Sequence, residues 1–363
     1  MSMLKKIVLA VLGLAAVAAA AIAAAIHFVP AVQDRLIAMM AEERFSTDRS
    51  GLLAEDGLRV AICGSGSPMP NPERDPACNL VFAGGEIFVV DAGAGSWANA
   101  ARWQLPTDKV GTVLFTHFHS DHIGDLGEVN LQSWVGGRPK PLAVYGGPGI
   151  ERVVAGFNEA YALDRSYRTA HHGEDFLKPE LGIIEAHAIE GVTPGQSVTV
   201  LERNGLKISA FLVDHDPVHP AFGYRFDYKG RSVVFSGDTA KSANLAIAAK
   251  GADLLIHEAM VKEAVMTMHD AAARHGNERI AKIMTDILDY HASPRDAAET
   301  AAAAGVPQLV LSHLIPPVPH WFGKIIFLRD TDVPGVATRL AFDDMLIELP
   351  AGSKDVRFGD LGE

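Results

Sequence analysis

The sequence predicts an α/β fold: two β-sheets packed face to face with helices outside, an αββα sandwich. Three observations carry this. Short runs rich in Val, Ile, Leu and Phe recur along the chain and end in Gly, Asp or His. The early runs follow one another across turns, as hairpins do, and later ones alternate with helical stretches. The chain has 363 residues, 48% of them hydrophobic, enough to bury a large core.

The elements follow in order. Lys5 and Lys6 precede an uncharged, mostly apolar stretch from Ile7 to Ile26. About twenty helical residues rise roughly 30 Å, enough to cross a bilayer, whereas a cleavable leader has a shorter apolar core of roughly 7–15 residues. Residues 1–28 are therefore read as a membrane anchor or signal segment. Small-residue triplets such as Ala23-Ala24-Ala25 keep cleavage open. By the positive-inside rule the two lysines stay cytoplasmic and the remainder crosses. In a bacterium this gives an inner-membrane protein with its main domain in the periplasm, or one released there if cleaved. Residues 29–56 form a linker with a short helical stretch, and 57–363 the main domain.

Within that domain the strand-like runs are LRVAIC, CNLVFAG, EIFVVDAG, VGTVLFTH, PLAVYG, SVTV, KISAFLVDH, AFGYRFDY, RSVVFSGD, ADLLIHE and QLVLSH. The clearest helix is SPRDAAETAAAAG: Ser293 caps it, Pro294 opens it, Asp296 completes a capping-box-like pair and Gly305 ends it. Two cysteines are too few for a disulfide framework. Cys63 is read as a small buried side chain, with a Cys63–Cys78 bridge as the alternative in an oxidising compartment.

Several of these runs deliver a polar residue at their carboxyl end, where α/β folds bind ligands: His117, His215, Asp238, His257, Glu258 and His313. FTHFHSDHIGD packs four candidates into one stretch, adding His119, Asp121 and His122 to His117. His117 and His119, two apart in extended chain, point the same way and can grip one ion. Asp121 and His122 come as the chain turns into a helix and can reach a second. His215 completes three imidazoles at the first ion, His313 joins the second, and Asp238 can bridge. Imidazole and carboxylate without thiolate suit zinc, manganese or iron. Two ions held roughly 3.5–4 Å apart form a clamp for hydrolysis.

THFHSDH resembles the HxHxDH signature of the metallo-β-lactamase superfamily. Further matches, over roughly residues 58 to 350, resemble its ribonuclease Z and arylsulfatase-like branch: CGSGSPMPNPERDPACNLVF, DAGAG, VYGGPGI, VDHDPVHPAFGYRF, VVFSGDT, IHEAM, YHAS and LSH. The resemblance implies a sandwich of the metallo-β-lactamase type and two Zn²⁺, one held by His117, His119 and His215, the other by Asp121, His122 and His313, with Asp238 between. It also implies that His291 donates a proton, supported by Glu258, while a metal-bound hydroxide attacks an ester. Ribonuclease Z proper carries a long tRNA-gripping arm between the strands ending GYR and SGD. Here only FDYKG separates GYR from RSVVFSGD.

The expectation is thus a di-zinc hydrolase of a small-molecule ester, a phosphodiester or aryl sulfate foremost. The alternatives are a carboxylic ester or lactone hydrolase, a tRNA 3′-end endonuclease, and an iron-dependent redox enzyme. The net charge of −12, the missing arm and the anchor argue against a nucleic-acid partner. No Gly-rich phosphate loop or G-x-S-x-G elbow is present. A homodimer is left open. The aromatic stretch 315–330 is read as a loop over the metal site, with Trp321 and Phe322, and His219 from DPVHP, at the substrate pocket. His257 is read as an orienting residue, and His171, His172, His187, His269 and His275 as surface residues.

Overall fold

The computed structural model describes residues 2–362. The chain divides into a helical unit ending at Arg49 and a larger unit beginning at Ser50. In the first, helix α1 (Met3–Phe28) is long and apolar enough to cross a membrane. It stops at Val29, which is extended because Pro30 follows, and Pro30 opens α2 (Pro30–Ser46) at the one place where a helix tolerates proline.

The larger unit contains β1 (Gly57–Gly64), β2 (Cys78–Ala83), β3 (Glu86–Ala92), β4 (Val110–Leu114), β5 (Leu142–Gly146) and β6 (Ile184–Ala188). There follow β7 (Ser197–Arg203), β8 (Leu206–Val213), β9 (Ala221–Tyr228), β10 (Arg231–Phe235) and β11 (Leu254–Met260). The last are β12 (Gln308–Ile315), β13 (Ala337–Leu340), β14 (Met345–Pro350) and β15 (Arg357–Asp360). They form an eight-stranded sheet, β15-β14-β1-β2-β3-β4-β5-β6, and a seven-stranded one, β13-β12-β11-β10-β9-β8-β7. Antiparallel hairpins open each sheet, and β3 to β6 and β10 to β13 run parallel.

Strand alternation sorts the core. Val60, Val81, Phe88, Phe226, Val233 and Ile347 pack between the sheets. Val89, Val113 and Val144 face outward, under Leu126, Val129 and Ile150 of two helices. On the other side, Ala297, Ala298 and Ala301 of the helix Pro294–Ala304 cover Val234, Leu255 and Leu309. That helix has the capping box and left-handed Gly305 that its sequence predicts. The result is the expected αββα sandwich.

Four strands escaped the sequence reading. β13 and β15 are four residues long and largely polar. β6 is short and only partly buried. β14 is held by β1, pairing Ile347 with Val60, and no local signal announces so distant a partner.

Cys63 and Cys78 are bonded, where the sequence reading preferred a free buried cysteine. The correction has a physical reason: antiparallel β1 and β2 set Gly64 opposite Cys78 across a bulge, which brings the two sulfurs together. The bridge closes the loop between these strands at its base. Asp343 braces the same base, accepting hydrogen bonds from Ser65 N (2.9 Å) and Asp75 N (2.7 Å). Where ribonuclease Z proper would extend its arm, β9 and β10 are joined by Lys229 and Gly230 alone. Both have positive φ (49° and 76°), the geometry of a tight hairpin turn.

Candidate metal centre and active-site cavity

The ligand candidates converge at the carboxyl ends of the central strands. His117, His119, Asp121 and His122 follow β4, His215 follows β8, Asp238 follows β10, and His313 lies within β12. His313 owes its direction to a bulge. Between β11 and β12 the register jumps from Glu258↔Ser312 to Ala259↔Leu314, which leaves His313 unpaired with φ 44°. A non-glycine residue in that conformation is strained, and such strain concentrates at functional sites.

The expected groupings form. His117, His119 and His215 present ring nitrogens within 4.8 Å of one another, and a carboxylate oxygen of Asp121 and ring nitrogens of His122 and His313 lie equally close. Asp238 lies between the sets, its Oδ2 3.3 Å from His122 Nε2, 3.4 Å from His313 Nε2, 3.9 Å from His117 Nε2 and 4.0 Å from His215 Nε2. All seven are buried except His119, which opens to solvent.

The donor set fits a divalent metal. Asp238 Oδ1 is buried and has no hydrogen-bond partner among the described residues, an arrangement that is costly unless an ion takes its lone pair. The outer nitrogens are already committed. His122 Nδ1 lies 2.9 Å from Asp91 Oδ2, and His215 Nδ1 lies 3.2 Å from the Tyr290 carbonyl. Such contacts fix the tautomer and leave Nε2 free to ligate. Burial lowers the His117 pKa well below the usual imidazole value and that of His215 to about 4, so both are neutral and ready to coordinate. His122 goes the other way: burial lowers it, but the Asp238 and Asp91 carboxylates outweigh burial and raise it well above.

Asp91 went unassigned in the sequence reading. It accepts from Thr116 N (2.9 Å) and Thr116 Oγ1 (2.8 Å) while holding His122. Its position at the end of β3, heading DAGAG, was the available signal.

His291 and Glu258 form the second constellation. His291 Nδ1 lies 2.8 Å from Glu258 Oε1, which also accepts from Thr239 N at 2.7 Å. Burial lowers the imidazole pKa, and burial together with the Asp238 charge raises the carboxyl. His257 is fully buried, its Nδ1 2.8 Å from the Glu258 carbonyl oxygen.

A cavity of about 450 Å³ opens onto His119, Asp121, Asp238, His291 and His313. Its other walls include Met69 and Pro70 from the β1–β2 loop, Tyr290, and Ile280, Ile283, Met284 and Ile287. The three residues assigned to the pocket from sequence are not among its walls. His320–Leu328 is a helix and not a loop, and it carries Trp321, 68% exposed, and Phe322 on its outside. His219 is an exposed residue paired with Asp216 at 2.6 Å. Being apolar and aromatic near the last ligand in sequence was not enough: the helix turns these rings outward. His320 instead anchors the β1–β2 loop, its Nδ1 2.6 Å from Arg74.

Comparison with known proteins agrees with this architecture. Residues 87–314 match the model of the beta-lactamase superfamily domain. Ribonuclease Z of Mycobacterium avium is 39% identical over 262 residues, 71% of this chain and 86% of that one. Human tRNase Z, short form, aligns in structure with a TM-score of 0.57 at 22% identity, over 80% of this chain and 99% of that one. The metallo-beta-lactamase fold protein YhfI from Bacillus subtilis aligns with a TM-score of 0.54 at 19% identity, over 81% of this chain and 100% of that one. The chain belongs to the metallo-β-lactamase superfamily and is a ribonuclease Z-like, metal-dependent hydrolase. The ribonuclease name of its relatives stands mildly against the expectation, drawn from charge, the missing arm and the anchor, that disfavours a nucleic-acid partner.

Proposed function

We propose that the chain hydrolyses phosphodiester bonds with the help of a zinc pair, the chemistry that its ribonuclease-named relatives bring to it. The observation that carries the reading is one cavity shared by the buried histidine–aspartate cluster and the Glu258–His291 pair. His117, His119 and His215 would hold one ion, and Asp121, His122 and His313 the other, with Asp238 reaching both. When bound, such a pair lowers the pKa of water and stabilises charge on a phosphoryl oxygen.

The chain's own groups do the rest. Asp91 holds the His122 ring through Nδ1, and the Tyr290 carbonyl holds His215 in the same way. Glu258, fixed by Thr239 N, orients His291 through Nδ1. His291 Nε2 then offers its proton to the departing oxygen, and the Glu258–His291 pair regains one from solvent. Arylsulfatase-like chemistry has no support beyond the motif resemblance.

RNA is the first substrate to test, because of the relatives' name. A small phosphodiester is the second reading, and two observations favour it. The β9–β10 turn supplies no arm, and among the described residues no Lys or Arg lines the cavity to follow a polynucleotide backbone. Membrane anchoring by α1, with the catalytic domain in an oxidising compartment such as the periplasm, is a further part of the proposal. Lys5 and Lys6 before an apolar helix and the Cys63–Cys78 bond support it. In that location the domain would meet no precursor tRNA.

The test is turnover by the zinc-loaded full-length chain of a precursor tRNA transcript, bis(p-nitrophenyl) phosphate and p-nitrophenyl sulfate. Cleavage of either phosphodiester with the sulfate intact is expected, and the transcript separates the two substrate readings. Turnover of the sulfate alone would overturn the proposal.

A further inference from the structure

The cavity has a second half that the hydrolytic chemistry does not use. The helix Glu278–Asp286 and the turn after it place Ile280, Ile283, Met284 and Ile287 at helical spacing, one apolar stripe. The stripe is divided. Met284 and Ile287 are buried with Met260, Val265 and Ile315 and anchor the helix to the domain. Ile280 and Ile283, 40% and 48% exposed, have no such cover and face the cavity. The helix needs neither for docking, and a polar side chain there would cost the fold little. An apolar wall beside a reactive centre points to an apolar ligand.

The chain path says which part of the substrate meets this wall. From Ile280 it runs without interruption to Tyr290 and His291, so the wall and the proton donor belong to one segment. A group that receives its proton from His291 is the leaving oxygen, and whatever that oxygen carries lies on the His291 side.

We propose that Ile280 and Ile283 form a subsite for an apolar alkyl or aryl group on the leaving alcohol, so that the preferred substrate is a phosphodiester with an apolar leaving group and not a polynucleotide. This rests on the small-phosphodiester reading and on His291 as donor. In the reaction, water adds to phosphorus, the bond from phosphorus to the leaving oxygen breaks, and His291 Nε2 protonates that oxygen. A phosphomonoester and an apolar alcohol or phenol result.

Two homologous series test it, on the zinc-loaded full-length chain in one fixed detergent. 4-Alkylphenyl methyl phosphates, from methyl to butyl, are assayed as substrates, and the matching 4-alkylphenols as competitors against a bound apolar fluorophore. Comparing variants in the same detergent cancels partitioning of the probes. In the unaltered protein, kcat/KM and phenol affinity should each rise about threefold per added CH₂, somewhat below the roughly fourfold for full burial. The double variant Ile280→Ser, Ile283→Ser should flatten both slopes, whereas Ile280→Val, Ile283→Val should keep them. Both positions are half exposed, so these variants fold. A flat series in the unaltered protein, or a slope that survives in the serine variant, overturns the subsite. Cleavage of the diesters with a flat slope would leave the phosphodiesterase reading standing and the subsite refuted. A slope in the phenols with no diester cleaved would uphold the apolar subsite and refute the small-phosphodiester reading.

Discussion

The two sides of the active-site cavity were built by different rules. The ligand side is made of strand ends: His117, His215, Asp238 and His313 sit at or just beyond β4, β8, β10 and within β12, held by the most buried part of the fold. The opposite side is made of a helix, Glu278–Asp286, and of the β1–β2 loop with Met69 and Pro70. The first side sets the chemistry and uses rare residue types in a fixed spacing. The second sets what fits, with ordinary apolar residues that differ little from core residues. Mutations on the ligand side should therefore change whether the enzyme works, and those on the wall side what it works on.

The sharpest way to break the comparison is Asp238→Ala. It removes the one carboxylate near all four imidazoles His117, His122, His215 and His313. Turnover should be abolished and bound metal lost, as read by elemental analysis. His119→Ala should do the same. His291→Ala comes next. It should lower kcat by about 10²–10⁴-fold with metal content unchanged. Full activity in that variant would remove His291 as proton donor.

Intermediate effects come from supports. Reducing the Cys63–Cys78 bond, or replacing both residues by serine, opens a loop with a sequence separation of 15. Denaturant unfolding should then show a loss of about 3 kcal/mol. Asp91→Ala leaves every ligand in place but frees His122, and should weaken metal binding about 10- to 100-fold in a chelator competition. The smallest expected effect is on pH. In the metal-free protein, Asp238 and Asp91 hold a proton on His122 well above the usual imidazole range. Metal must displace that proton, so affinity should rise as pH rises through neutrality, at most about tenfold per unit. Affinity independent of pH there would show that His122 is already neutral.

The difference between the two sides also explains what was legible. His117, His119, Asp121 and His122 were readable because a six-residue cluster of imidazole and carboxylate has few other uses. The sandwich was readable because the central parallel strands β3, β4, β10, β11 and β12 are buried on both faces and so appear as mostly apolar runs. The bulge that turns His313 inward was not, since it depends on the β11–β12 register. Nor were Ile280 and Ile283: their spacing is that of any amphipathic helix, and only the fold shows that half the stripe is left bare. Trp321 and Phe322 misled for the converse reason, being close to a ligand in sequence and turned away in space.

The most direct test of the central claim is metal content measured together with turnover of bis(p-nitrophenyl) phosphate, before and after chelation, on the full-length chain. The account predicts about two zinc ions per chain, turnover lost on chelation and restored by zinc. Turnover unaffected by complete metal removal, or a chain that binds no metal after zinc reconstitution, would contradict it.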